Sequence, residues 1–369
     1  MAKYIAFHLP QYHTFPENDK WWGKNFTDWV NVKNAKPLFK SHIQPVIPLN
    51  EEYYNMMDHA TRVRQAKLAK EYGLYGFCYY HYYFNGKLLM EKPLEALLKE
   101  NDIDFPYCLC WANEPWTRAW DGKTKEILMA QEYGNERDWE KHFNYLISFF
   151  KDKRYICINN KPLFVIYRTN NIPRCDEMIK FWDNMCKKNG FDGIYICEEL
   201  NAFQSEPVCY NSNAVIAFEP SNVQRKRSTI SRIITIFMGK IKTKNFLSNL
   251  KIFNYETVWK KIISQRYCTN GKKLYYGAFV GWDNTPRKKD SGMIYINASP
   301  TLFANNLSIL NKKADQNNSE FIFINAWNEW AEGAHLEPDN INKYKYLEAL
   351  KSTKLNEMEK KKYDKKKRY

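Results

Sequence analysis

Two glutamates three residues apart, Glu329 and Glu332, stand in the stretch F-I-F-I-N-A-W-N-E-W-A-E-G-A-H-L-E-P from Phe321 to Pro338. Spacing alone also fits the solvated first turn of a helix. The neighbours argue otherwise: Trp327 and Trp330 flank Glu329, and a carboxyl walled by indole rings loses water and holds its proton to higher pH. Making or breaking a glycosidic bond needs a proton donor at the leaving oxygen and an anion that helps the sugar cation form, so paired carboxylates suit it. The apolar run before the pair reads as a buried strand, with Gly333 and Pro338 ending the polar stretch behind it.

Other strand-like runs end in residues of the same kind. His8 stands at the end of the first and Gln11 just beyond it, and His81 and Tyr82 lie in G-F-C-Y-Y-H-Y-Y-F. The richest ending is W-A-N-E-P-W-T-R, with Trp111, Asn113, Glu114, Trp116 and Arg118. Tyr167, Trp282, Asn328 and Trp330 complete the expected substrate site. His8, His81, Asn113, Glu114, Arg118 and Asn328 are the types that orient hydroxyls, and Trp111, Trp116 and Trp282 the types on which pyranose faces stack. Aromatic residues make up 16% of the chain, more than packing alone requires.

The elements that must position these residues read as eight buried strands: Lys3 to Leu9, Gly76 to Phe84, Phe105 to Asn113, Lys161 to Arg168, Gly193 to Glu198, Ala214 to Phe218, Leu274 to Trp282 and Glu320 to Trp327. Helical stretches lie between them, among them Asp58 to Tyr72, Lys87 to Glu100, Asn135 to Phe150 and Cys175 to Asn189. Short strands alternating with helices, with chemistry at the strands' C-terminal ends, predict an α/β fold, a single (β/α)8 TIM-type barrel with long βα loops. No glycine-rich phosphate turn follows the first strand, as an open dinucleotide-binding sheet would require. The barrel is expected over residues 1–350, with a basic, disordered tail over 351–369.

The run N-E-W-A-E-G-A-H-L-E-P resembles the N-E-W-H-E-G motif of glycoside hydrolase family 99, and more closely the WbsX-type glycosyltransferases of bacterial polysaccharide biosynthesis. The stretch W-W-G-K-N-F-T-D-W from Trp21 to Trp29 resembles the WbsX-type proteins as well. The resemblance implies that Glu329 and Glu332 are the catalytic pair, with Glu329 as base toward the sugar's own 2-hydroxyl and Glu332 as acid. It implies an α-mannosyl-like substrate and a place in surface polysaccharide or lipopolysaccharide O-antigen assembly. Ala331 stands where the hydrolases carry histidine. Three readings stay open: a glycosyltransferase, an endo-acting hydrolase of the family 99 type, and a catalytically silent glycan-binding barrel.

The net charge of +15 is concentrated. Eight Lys or Arg and no Asp or Glu fall between Pro220 and Tyr255, and nine basic against three acidic residues between Lys351 and Tyr369. Within the first, Ile230, Ile233, Ile234, Phe237, Met238 and Ile241 recur at helical spacing, predicting a basic amphipathic insertion after the sixth strand. Arg225–Lys244 and the tail suit an anionic membrane surface, while no nucleic-acid motif accompanies them and nucleic acid is not expected as a partner. The substrate is expected to be an oligosaccharide or a lipid-linked glycan. Asp102-Ile103-Asp104 has the letters of a metal-binding D-x-D but precedes the third strand, at the barrel's stability face, so neither metal nor cofactor is expected. Nine cysteines without a C-x-x-C pair, and no signal-peptide or membrane-length apolar run, predict a chain without a disulfide framework in a reducing cytoplasm, peripheral on the inner membrane face.

Overall fold

The structure is a computed structural model and describes residues 2–118, 123–224 and 250–354. The amphipathic insertion and most of the basic tail lie outside the described residues. Eight strands form the core: β1 Lys3–His8, β2 Gly76–Phe84, β3 Tyr107–Trp111, β4 Lys161–Ile166, β5 Tyr195–Leu200, β6 Ala214–Ala217, β7 Lys273–Phe279 and β8 Phe321–Asn325. Each pairs in parallel with the next, and β8 returns to β1. The sheet is therefore a closed (β/α)8 barrel, as the alternation predicts, and closure leaves no edge to protect.

The helices that cover it are α1 Pro16–Trp22 and α2 Asp28–Asn34 in the long first loop, then α3 His59–Glu71, α4 Lys92–Lys99, α5 Glu136–Phe150, α6 Cys175–Lys188, α7 Tyr255–Ser264, the single turn α8 Thr285–Lys288, and α9 Pro300–Gln316. Asn135 caps α5 in a reciprocal box with Asp138, satisfying two backbone donors that the first helical turn leaves free. Three expectations shift. Lys87–Leu89 pairs back on β2 as a short hairpin, so α4 starts later than the apolar pattern suggested. No helix joins β5 to β6, and residues 201–213 form a loop. Residues 345–354 continue as helix, with the Thr353 and Tyr4 hydroxyls 2.9 Å apart, so the barrel runs past the expected boundary at 350.

The cysteine expectation is corrected at one pair. Cys175, at the start of α6, and Cys209, in the β5–β6 loop, form a disulfide across 34 residues, while the other seven are free. Sequence spacing carries no record of that approach, which exists only because the loop folds back over α6.

Side chains alternate across each strand. Inside the barrel Phe7 packs on Tyr80, Phe218 and Phe323. Gly277 of β7 permits its close packing, since a Cβ there would lie 1.7 Å from the Ala217 carbonyl oxygen. Glu199 of β5 is also inside, accepting 3.3 Å from the Cys110 thiol, with its second oxygen unpaired among the described residues. Burial pushes its carboxyl up to about 8, with the charge of Glu114 adding. A group whose folded pKa is raised stabilises fully below its unfolded value, near 4.5, and that contribution is lost as pH climbs through the folded value. Chemical denaturation from pH 5 to pH 9 should therefore show falling stability, and Glu199→Gln should flatten the slope by ~3 kcal/mol over that range.

Candidate active site

A cavity of about 460 Å³ opens at the C-terminal ends of the strands, and Glu329 and Glu332 line it. Behind β8, residues 328–329 pair with 334–335 in a two-stranded turn, and Trp330–Glu332 make a single 3-10 turn between them. Gly333 closes that turn in the left-handed region at φ 61°, where a Cβ would come within 2.8 Å of the Asp283 backbone nitrogen. Glycine is thus required, and the Asp283 N–H donates to the Glu332 carbonyl at 2.6 Å.

The two carboxylates share one cation. Arg287 of α8 donates from Nη1 to Glu332 at 2.6 Å and from Nη2 to Glu329 at 3.4 Å. The same guanidinium donates from Nη2 to Asp28 of α2 at 2.5 Å, and from Nε at 3.3 Å. Asp28 is wholly buried, Glu329 is 7% exposed, and Glu332 reaches into the cavity. One guanidinium facing three carboxylates leaves the cluster short of positive charge. Burial pushes the Glu329 carboxyl up to about 8, with Glu332 and Asp28 adding and only Arg287 opposing. Glu329, the more deeply set of the pair and the more loosely held, is therefore where a proton rests.

A further, partly buried carboxylate is held beside the cluster. Asp283 accepts 2.7 Å bonds from His42 Nε2 and Gln44 Nε2 and a 2.6 Å bond from the Thr285 hydroxyl. Burial works to raise its carboxyl, yet these donors hold it below the usual range. Because His42 Nδ1 accepts from the Leu38 backbone, its Nε2 carries the proton given to Asp283. The long first loop is thereby tied to the start of α8.

Of the expected substrate residues, Tyr82, Glu114, Trp116, Tyr167 and Trp282 line the cavity with the two glutamates. Glu114 pairs with Arg168, and Trp116 packs on Trp21 and Tyr82. The remaining residues are engaged elsewhere. His8 faces α3, 3.2 Å from Gln65, and His81 faces α5, with its Nε2 2.8 Å from that of His142. Burial lowers both rings, each to about 3, so they are neutral packing groups. Trp111 donates to the Tyr83 carbonyl and packs against His142 and Trp182. Asn113 bonds both backbone groups of Arg168, and Arg118 pairs with Glu126 on the hairpin after β3.

Asn328 and Trp330 brace the motif rather than face the cavity. The Asn328 side chain exchanges bonds with both backbone groups of Leu9, at 2.7 and 3.0 Å. Trp330 donates to Glu337 at 2.7 Å and stacks on His335. Glu337 accepts also from Tyr54 and Gln65, so it fastens the turn to the first loop and to α3. Gln11 is buried, its amide nitrogen unpaired among the described residues. Sequence reading missed Asp28, Arg287 and Tyr80, which also lines the cavity. The T-D-W and T-P-R-K contexts of the first two carry no mark of their meeting, whereas Tyr80 lay legibly two residues before Tyr82.

The comparisons with known proteins agree with this architecture. The fold is similar to an endo-alpha-mannosidase of glycoside hydrolase family 99 from Bacteroides thetaiotaomicron, at a TM-score of 0.57 and 13% identity, covering 98% of each chain. It is equally similar to a structure described as a glycoside hydrolase-like protein, at 0.57 and 13%, covering 95% of this chain and 93% of that one. In sequence the chain is 34% identical over 353 residues to the uncharacterized protein WxcX of Xanthomonas campestris pv. campestris strain B100, and over 356 residues to WxcX of strain ATCC 33913. Those matches take in 95% of this chain and 49% of WxcX, so the chain spans about half the length of these relatives. Residues 4–350 match the family described as Glycosyltransferase WbsX, and the chain belongs to that family.

Proposed function

We propose that the chain makes or breaks a glycosidic bond, of α-mannosyl type, during assembly of a bacterial surface polysaccharide, with Glu329 and Glu332 as the reacting carboxylates. One observation carries this reading: two carboxylates under a single shared guanidinium, at the base of an aromatic-walled cavity on the catalytic face of a (β/α)8 barrel. Glu329, buried and loosely bonded, is suited to give a proton to the departing oxygen. Glu332, bonded to Arg287 at 2.6 Å, is suited to remain the anion. This allocation, read from the bonds of the two carboxylates to Arg287, is the reverse of the one the motif resemblance implies. Tyr80, Tyr82, Trp116 and Trp282 would hold the sugar while the carboxylates act on it.

The first test is product analysis. Mass spectrometry of α-mannosyl oligosaccharides incubated with the chain, with and without sugar nucleotides or lipid-linked donors, should reveal a lengthened or a cleaved glycan. Glu329→Gln and Glu332→Gln should each lower turnover roughly 10²–10⁴-fold. Full turnover by both variants would remove the assignment. Activity of the proton donor's variant should recover on a substrate whose leaving group needs no protonation, which separates the two roles.

Asp28 supplies a pH test. Its charge helps to hold the proton on Glu329, so Asp28→Asn should lower that carboxyl's pKa and move the alkaline limb of kcat/KM toward lower pH. A variant that loses rate with the limb in place would mark Asp28 as a brace for Arg287 and nothing more.

A further inference from the structure

We infer that Phe203, in the loop between β5 and β6, is an outer sugar-binding platform across the barrel mouth from the glutamate pair, so that the chain takes an extended oligosaccharide rather than a single glycosyl residue. The inference rests on the carbohydrate reading above and names where a second part of the substrate lies.

Phe203 lines the same cavity as Glu329 and Glu332, yet is 60% exposed. An exposed phenyl ring on a loose loop would need no explanation. This loop is not loose. Glu198 of β5, with no exposure, accepts from the Thr169 hydroxyl at 2.6 Å, from Gln204 Nε2 at 3.1 Å, from the backbone of Val208 at 2.9 Å and Cys209 at 3.3 Å, and from the Ser212 hydroxyl. The disulfide from Cys209 to Cys175 fastens the same loop to α6. At its near end the Asn201 side chain accepts from the Phe203 backbone at 3.0 Å and donates to the Tyr167 carbonyl at 3.0 Å. The ring is thus held before any ligand arrives, and a platform whose ordering cost is already met binds more tightly than one that must be arranged.

Its underside is built as well. The Arg168 guanidinium lies over the ring, 4.4 Å from the centroid, while its Nη1 pairs with Glu114 of the cavity wall. One face is thus covered by a cation that is itself anchored, which leaves the other face for a ligand. Barrel order fixes the span: β5 stands three strands round from β8, past β6 and β7. A glycan with its reacting bond over Glu329 and Glu332 that continues across the mouth brings the C–H face of a later pyranose over this ring.

The test is a binding series that needs no turnover. Glu329→Gln protein is titrated calorimetrically with α-linked manno-oligosaccharides from disaccharide to tetrasaccharide, with and without Phe203→Ala. Affinity should rise with length in the parent, and Phe203→Ala should cost the tetrasaccharide about three- to tenfold more than the disaccharide. Phe203→Tyr, which keeps the ring, should retain the parent's length dependence, and unfolding midpoints separate a lost platform from a collapsed loop. Equal losses at every length, or affinity indifferent to length in the parent, overturn the platform. A parent that binds none of these glycans removes the carbohydrate reading and the platform with it.

Discussion

A single buried guanidinium organises the mouth of the barrel. Arg287 is 8% exposed, and a charge so far from water must be paired where it lies. Three carboxylates from two places in the chain pair with it: Asp28 from the first loop, and Glu329 and Glu332 from the turn after β8. The contact that fixes the positions of the two glutamates also fixes their proton inventory. Three acids around one cation cannot all be ionised cheaply, and the weakest bond, at 3.4 Å to Glu329, shows where the proton is cheapest to keep. Removing the arginine would leave several buried acids facing one another, so its position determines both architecture and chemistry.

The motif around the pair divides its labour by direction. Glu329 and Glu332 face the cavity, while Asn328, Trp330 and Glu337 face away and hold the turn to Leu9, Tyr54 and Gln65. Tyr12 adds a further hold, donating to the Asn328 carbonyl at 2.6 Å and accepting from the Trp330 backbone at 3.1 Å. The bonds of Asn328, Trp330 and Glu337 therefore hold this short stretch rigid, which is what two carboxylates need if they are to meet a substrate in one geometry. The expected indole wall around Glu329 is real in its effect, since Glu329 is buried. Its material is largely different, with Tyr80 and Tyr82 on the cavity side.

The long first loop is the second structural investment. Residues 10–50 carry α1 and α2, deliver Asp28 to the cluster and Trp22 to the cavity rim, and are tied to the β7 end through His42, Gln44 and Asp283. Loops of this length in compact domains carry function or move. Here the loop completes the cavity, and its bonds to Asp283 leave it fixed beside the two glutamates. The β5–β6 loop is fixed just as firmly by Glu198, so the mouth has two stiff lips rather than one.

The barrel was legible in the chain because eight apolar runs alternate with helical stretches, and the motif glutamates were legible because their spelling is distinctive. Side-chain direction was not. A strand of a parallel barrel is buried on both faces, so its sequence lacks the polar alternation that would mark inside from outside, and a shift of one residue reverses the face. That is why Tyr82 and Tyr80 line the cavity while His81, between them, packs against α5, and why His8 and Trp111 turned to the helices. Nor could spacing join Asp28 and Cys175 to partners 259 and 34 residues away. The sequence by itself determined that eight barrel strands form and which residues lie near their ends. Only the closed sheet decided which of those residues share one hollow, because closure sets the direction of every side chain at once.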